Sequence, residues 1–429
     1  MAAIIPTAQA GNASALYSKI NARLLPLLLI CYLFAYLDRV NVGFAKLQMQ
    51  TDLGFSDAAY GVGAGIFFIG YVLFELPSNL MLPRVGARRT FSRILVLWGI
   101  TSACMLFVKS VPAFYAMRFL LGVFEAGFAP GMIFYLSRWY GPTRMARAIA
   151  IVFLAGPIGG IVGGPLCAGI MTALAGAMGL AGWQWMFLVE GLPCIVLGIA
   201  VFFYLPDRPA DAGWLSHTER RRLEAEVGSE QAHPAQFRDV LKDRKVYGLA
   251  FAYFCIIASI YAISFWLPAI LQAQGVSSLV TLGWYASIPY VAAAFGMIYM
   301  GRRSDRVGER RLHCAVPAAA AAVLLVACAF AGMHLWVSLT LLTCVTAALW
   351  MAYTVFWAIP PAYIKGPAAA GGIALINTIG LSGGFWGPAA IGWIKTATGS
   401  LQPALYALAG VCLLAALLIA RISLPAAQR

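Results

Sequence analysis

Charge is scarce in this chain: Asp, Glu, Lys and Arg make up only 11% of its 429 residues, and just 16 are acidic. Soluble proteins carry roughly a quarter charged residues, so water is not the main solvent of this protein. The four histidines sit in loops or at helix edges. The nine cysteines, among them Cys31, Cys104, Cys167 and Cys255, stand singly in or beside apolar runs. Without paired spacings they form neither a zinc site nor a disulfide framework, and they read as small hydrophobes. Phosphate-cradling glycine loops and a nucleophile elbow are missing. An enzyme and an ATP-driven pump are therefore not expected, nor is a metal or other cofactor. The first eighteen residues hold no apolar stretch long enough for a signal-peptide core, so the first hydrophobic run reads as a retained helix.

What the chain does have is apolar sequence, 62% of its residues, with a mean hydropathy of +0.82. A membrane-crossing helix needs about 20 mostly apolar residues. Runs of that kind recur at about 24–44, 58–82, 90–109, 112–137, 147–174, 184–205, 246–272, 279–300, 313–332, 335–360, 368–394 and 401–423. Twelve crossings predict an all-α membrane protein.

A net charge of +14 would suggest nucleic acid in a soluble protein, but its placement is a topology signal. Cytoplasmic loops carry the Lys and Arg excess. With an inside start, one side receives Lys19, Arg23, Arg84 to Arg93, Arg138 to Arg147, Arg208 to Lys245, Arg302 to Arg311, Lys365, Arg421 and Arg429. The other side receives only Lys46, Lys109 and Lys395, while Arg39 and Arg118 fall within apolar runs. Both termini are thus expected in the cytoplasm.

The sequence also repeats itself. PRVGARR at 83–89 returns as DRVGERR at 305–311, and GIVGGP at 160–165 returns as GGFWGP at 383–388. Two motifs that keep nearly one spacing imply a duplicated unit. Six crossings per unit make the copies parallel, an arrangement found in secondary transporters. The expected organisation is a bundle over 1–205, a cytoplasmic linker over 206–244 and a second bundle over 245–429. Ser216 and Glu219 predict a capping box ahead of a short charged helix in the linker, which is too short to bury a core of its own.

A charged side chain at the centre of a spanning helix costs about 2.5–3.5 kcal/mol on insertion scales, so it persists only with a partner or a function. Asp38 and Arg39 in the first run, Glu75 in the second, Arg118 and Glu125 in the fourth and Glu190 in the sixth qualify. The apolar runs of the second half hold no acid. Counting inward from Phe44 and Pro112 puts Asp38 and Arg118 at one depth, ~9 Å from the outer boundary at ~1.5 Å per residue. That depth permits an Asp38–Arg118 pair, either as a permanent packing device or as a working one. Asp38 and Arg39 diverge by ~100° around the helix, and Glu125 lies ~10 Å along its helix from Arg118, so it needs another partner or a proton. A carboxylate that exchanges its arginine during a conformational change also exchanges a proton, and an anion competing for that arginine couples the two. Glu75, just before Pro77, and Glu190, before a Gly-Leu-Pro break, are expected in local backbone roles. Gly156, Gly159, Gly160, Gly163 and Gly164, with Gly380, Gly383, Gly384 and Gly387, let helices approach closely.

YLDRVNVGFA (36–45), RFLLGVFEAGFAPG (118–131), GWQWMFLVEGLP (182–193) and GGIALINTIG (371–380) resemble the major facilitator superfamily, and within it the anion:cation symporters of organic acids. The resemblance covers essentially the whole chain. It implies two six-helix bundles related by a pseudo-two-fold axis, with Asp38 and Glu125 as proton-linked carboxylates and Arg39 and Arg118 at the anion site. It also implies cavity walls from Tyr36, Tyr71, Tyr261, Trp266, Tyr353 and Trp357, and a polar contact from Asn377. GRRSDRVGER (301–310) is similar to the superfamily's conformational latch, with Asp305, Arg306 and Arg310. Arg84 and Arg88 form the first-half copy, where Pro83 replaces the acid. Leu381 stands where many relatives carry Asn, which favours less hydroxylated or aromatic carboxylates. The partners implied are a small organic anion, a proton and the bilayer of a bacterial inner membrane, with no nucleic acid and a single copy as the working unit. Proton-driven export of amphipathic compounds is the competing function, since GxxxGP also resembles an element of superfamily antiporters. A non-transporting receptor is the third.

Overall fold

The computed structural model describes residues 7–227, 242–330, 334–363 and 369–422, and every regular element among them is helical. Lys365, Arg429 and the 228–241 stretch of the expected linker lie outside the described residues. Among the described residues, eleven helices are long and apolar enough to cross a bilayer. In chain order they are α1 (Ala15–Leu53), α2 (Asp57–Val85), α3 (Ala87–Phe107), α4 (Val111–Ser137), α5 (Arg147–Ala173), α6 (Gly182–Tyr204), α7 (Arg244–Ala273), α8 (Leu279–Val307), α9 (Arg311–Phe330), α10 (Leu335–Pro361) and, after one more, α12 (Gln402–Arg421). The missing crossing, α11, forms as two pieces, Ala369–Leu381 and Gly383–Thr398, joined at Ser382.

Capping residues set the starts: the hydroxyls of Ser56, Ser110 and Ser278 accept from the backbone N–H groups of Ala59, Ala113 and Thr281, satisfying donors that a helix leaves free. The repeated motif keeps a glycine at positive φ in both copies, although their ψ angles differ, 154° and 12°. Gly86 between α2 and α3 and Gly308 between α8 and α9 both have positive φ, +92° and +72°, a region that glycine reaches without a Cβ clash.

Helix α1 runs past the apolar run, to Leu53 rather than Phe44. The polar residues of this extension have partners. Lys46 pairs with Asp57 at 2.8 Å, Gln48 accepts from the Trp183 backbone N–H at 2.9 Å, and Asp52 accepts from the Trp183 indole at 2.8 Å. Asp38 therefore lies about nine residues deeper than a boundary at Phe44 implies.

In the first half α3 packs on α6, α2 on α4, and α1 on α5 and α6; in the second, α9 packs on α10 and α12, and α8 on α10. Helix α7 is the most enclosed. The halves meet where α5 lies on α8, α2 on the Gly383–Thr398 piece of α11, and α1 on α7. Glycine makes two of these seams: a Cβ on Gly164 would lie 2.4 Å from the Gly283 carbonyl oxygen, and one on Gly61 2.6 Å from that of Pro388. Both seams lie toward the end opposite the arginine-rich loops, here termed the far end. Toward the basic end α2 touches the Ala369–Leu381 piece through Glu75 and Asn377.

The expected capping box is present. Glu219 accepts from the Ser216 N–H at 2.7 Å, and its own N–H donates to the Ser216 hydroxyl at 3.2 Å. Glu219 also pairs with Lys19 at 3.1 Å, which ties the helix His217–Val227 to the start of α1.

Candidate functional site

Four of the twelve crossings are interrupted: α4 at Ala126 and Gly127, α5 at Leu154, α10 at Trp357 and α11 at Ser382. These are the fourth and fifth crossings of each half. Broken helices inside a membrane fold line cavities and binding sites. Glu125 is the last residue before the α4 break, where Gly127 adopts φ +85°; a Cβ there would lie 2.7 Å from Ser78.

Adjacent positions on α1 send two charges to different neighbours. Arg39 turns toward α4 and α7. Its Nε donates to Glu125 at 2.8 Å and its Nη2 pairs with the same carboxylate, while Nη1 reaches the Tyr261 hydroxyl at 3.4 Å. The guanidinium also lies over the rings of Tyr71 and Phe67, at 5.3 and 5.6 Å. Asp38 turns the other way, into the first half. It accepts from Ser102 and Trp98 on α3 and, at 3.0 Å, from Asn41 on α1 itself.

Arg118 and Asp38 are not bonded partners. Arg118 is fully buried and donates to the backbone carbonyls of Gly63 and Ala64 on α2, at 3.3 and 3.1 Å, with its guanidinium 5.3 Å from the Phe67 ring centre. Its Nη1 has no hydrogen-bond partner, and among the described residues no carboxylate lies within ion-pair distance. It remains close enough to Asp38 and Glu125 to feel their charge. The expected equal depth does not hold: with α1 running on to Leu53, Arg39 beside Asp38 meets Glu125, seven residues further along α4 than Arg118, and rotation about α1 turns Asp38 away as well. Asp38 faces α3.

Glu75 and Glu190 go beyond local backbone roles. Glu75, one turn below Tyr71, accepts from Asn377 on α11 at 2.8 Å, a hydrogen bond between the halves, and its Oε2 is buried without a partner. Glu190 joins Asp38 through Asn41, which donates to it at 2.8 Å. Tyr36 packs on Gly159 and faces Trp350 at 6.2 Å. Tyr261 and Tyr353 stand near Arg39, with Trp357 against Tyr253. Trp266 is elsewhere, at the far end. Of the latch residues, Asp305 pairs with Arg310, and Arg310 also donates to Ser304 at 3.1 Å. No acid among the described residues is within ion-pair distance of Arg84 or Arg306. At Pro83 the acid is absent; Asp207 accepts from the Arg88 backbone N–H at 2.8 Å, and the Arg88 guanidinium covers Phe202 at 4.5 Å.

A second charged cluster closes the far end. Asp57 on α2 binds Lys46 of α1 at 2.8 Å and Lys395 of α11 at 2.9 Å. Lys46 is buried with its ammonium 3.6 Å from the Trp266 ring centre, and the Tyr60 hydroxyl donates to the Phe265 carbonyl at 2.8 Å. Lys46 and Lys395 read as solvent-side residues in the sequence, and only Asp57 at the head of an apolar run hinted otherwise.

The Major Facilitator Superfamily model matches residues 28–388. A protein of Agrobacterium vitis that carries the provisional name of tartrate transporter is 45% identical over 403 residues, covering 93% of this chain and 92% of that one. A "Quinolone resistance transporter" of Acinetobacter baumannii is 39% identical over 399 residues, 92% of each chain. Among solved structures, a bacterial homologue of the human lysosomal transporter Spinster superposes with a TM-score of 0.77 at 17% identity, covering 93% of this chain and 96% of that one, and shares the fold. Two six-helix halves packed about α1 and α7, with ionisable side chains held between broken helices, are thus the frame of a multi-pass transporter of small molecules, and this chain belongs to the Major Facilitator Superfamily.

Proposed function

We propose that the chain takes up a small organic anion together with a proton by alternating access. Arg118 carries this reading: a guanidinium with no exposure, one nitrogen without a partner and no bound carboxylate, next to an arginine that already has one. A buried positive charge left in that condition is costly unless an anion comes to it. A substrate carboxylate binding at Arg118 also competes with Glu125 for Arg39. Once released from Arg39 in a low-dielectric site, Glu125 takes a proton, and anion and proton then travel as one load. The relative named for tartrate supports a carboxylate cargo. Tyr71 and Tyr261 flank the exchange, Asn377 and Glu75 bound it toward the basic end, and Tyr36 and Tyr353 line its walls.

The halves are 1–205 and 245–429, joined by the 206–244 linker, and one copy is the working unit. The Lys and Arg asymmetry supports a bacterial inner membrane with both termini cytoplasmic. The far end is then external, and the Lys46–Asp57–Lys395 cluster closes the external mouth. Asp305, Arg310 and Arg306, with Arg84 and Arg88, latch the cytoplasmic mouth when that side closes.

The experiment is tartrate flux into proteoliposomes. An inward proton gradient stimulates uptake in the native protein and Arg118→Ala abolishes it; undiminished transport by that variant refutes the site. A second reading, export in exchange for protons, is favoured by the quinolone-resistance relative. The direction of the pH change on adding substrate separates the two.

A further inference from the structure

The scheme above leaves two buried carboxyls without work, Asp38 and Glu190. Glu190 on α6 is 2% exposed and its two oxygens accept only from neutral donors, Asn41 Nδ2 at 2.8 Å and Cys167 Sγ at 3.2 Å. No Lys, Arg or His among the described residues lies within ion-pair distance of it. The groups facing it are Asp38 and Asn41 from α1, Cys167 from α5 and Cys194 from its own helix. From α3, Trp98 and Ser102 face Asp38, and from α4 Arg118 and Glu125 act on Asp38 through space with opposite sign. One nitrogen, Asn41 Nδ2, donates to both carboxyls, to Asp38 at 3.0 Å and to Glu190 at 2.8 Å, while Asn41 Oδ1 is buried with no partner at all.

That pattern is one proton short of satisfaction. Two negative carboxylates bridged by a single neutral amide repel each other, and only Arg118 answers them, at a distance. An amide offers two donors and an acceptor. With one carboxyl protonated, the Asn41 oxygen accepts its O–H while the Asn41 N–H donates to the other, so every group has a partner.

We propose that Glu190 is a second proton-carrying carboxyl of this transporter, joined to Asp38 through the Asn41 side chain so that the pair holds one proton between them. The proton is taken from water and returned to it, and no other bond changes. Its use in transport rests on the proton-coupled reading above; its binding does not. Because α1 also carries Arg39 on its other side, loading the pair and freeing Glu125 are changes on one helix.

The test is pH-difference infrared spectroscopy of the purified, lipid-embedded protein without substrate, following the C=O stretch of protonated carboxyls. The native protein is expected to titrate the pair in two steps, because interacting sites separate by about a pH unit or more. Asp38→Asn and Glu190→Gln each reduce it to one step, and Asn41→Leu moves both. Glutamine keeps an acceptor for Asn41 and Cys167, and Glu190→Asp, which retains a carboxyl, restores the second step. An unchanged set of carboxyl bands in Glu190→Gln overturns the proposal, as does an Asn41→Leu variant whose steps stay in place. Proton-driven tartrate uptake by the native protein is measured alongside. If that fails while Glu190 titrates, the transport reading falls and the carboxyl pair stands; if it succeeds while the Glu190→Gln spectrum matches the native one, the reverse holds.

Discussion

The two halves share a fold and a loop motif but divide the chemistry unequally. The first buries Asp38, Arg39, Glu75, Arg118, Glu125 and Glu190. The second has no acid between Lys245 and Asp305 and none after Glu309; what it brings to the site is Tyr261, Tyr353 and Asn377. The strong bonds of the site therefore stay within one half. Those that cross, Arg39 to Tyr261 at 3.4 Å and Asn377 to Glu75 at 2.8 Å, end on neutral groups of the second half. Such bonds are worth about 0.5–3 kcal/mol each, whereas breaking a buried ion pair costs about 3–5 kcal/mol. Rocking one half against the other is affordable at the site because no ion pair is torn. The far end differs: there Asp57 holds lysines from both halves.

Removing the unpaired charge is the most severe way to break this division. Arg118→Ala is expected to lower tartrate uptake by about 100-fold or more, in line with the ~2–5 kcal/mol carried by a buried charged contact, while thermal unfolding changes far less because Arg118 holds only two backbone carbonyls. Glu125→Gln comes next. It leaves Arg39 without its counter-charge and is expected to lower stability by about 3 kcal/mol. Exchange of labelled for unlabelled substrate survives, and accumulation against a gradient does not.

Asp57→Asn sharpens the contrast between the site and the far end. It removes the one ionic clamp between the halves among the described residues, and the far-end-closed population is expected to fall about tenfold, a shift of ~1.4 kcal/mol. Labelling rates of a cysteine placed at Ala58 report it; an unchanged rate means that the glycine seams alone keep the far end shut. Tyr261→Phe is milder. It deletes one long hydrogen bond, and the half-saturating substrate concentration is expected to change less than about tenfold.

How far these features could be read from sequence follows from what each depends on. The crossings and the duplicated loop depend on composition along the chain, so eleven spans and the paired glycines at 86 and 308 were legible, while the breaks inside α4, α5 and α10 were not. The burial cost of charge singled out Asp38, Arg39, Arg118 and Glu125 for the same reason. Partnership depends on rotation about a helix and on tertiary neighbours, which a single sequence does not encode locally. Thus Asp38 found Trp98 and Ser102 rather than Arg118, and Lys46, beyond the apolar run, proved to be buried because Asp57 and Trp266 receive it. Glu75 met its partner 302 residues away.

The smallest expected effect lies in the loop that copies the first half's, and it distinguishes the copies. Both loops place an acid at the start of the following helix, but in the first half Asp207 comes from beyond α6, whereas in the second Glu309 is local. Glu309 accepts from the backbone N–H groups of Leu312 at 2.7 Å and His313 at 3.1 Å and contacts the His313 ring at 2.8 Å. Burial acts to raise its pKa, but the Leu312 hydrogen bond and the His313 contacts outweigh it and hold the carboxyl below its usual range. A carboxyl depressed in the folded state adds stability that is present above the unfolded value and is lost as pH falls through the folded one. The side chain is 32% exposed, so the contribution is less than about 1 kcal/mol. Glu309→Gln should therefore unfold at a slightly lower temperature than the native protein at about pH 7, and the gap should close as pH falls below about 4. A gap of constant size would mean that Glu309 acts through shape and hydrogen bonding alone. Asp207→Asn, which also loosens the chain leaving α6 from the start of α3, should produce the larger loss of the two.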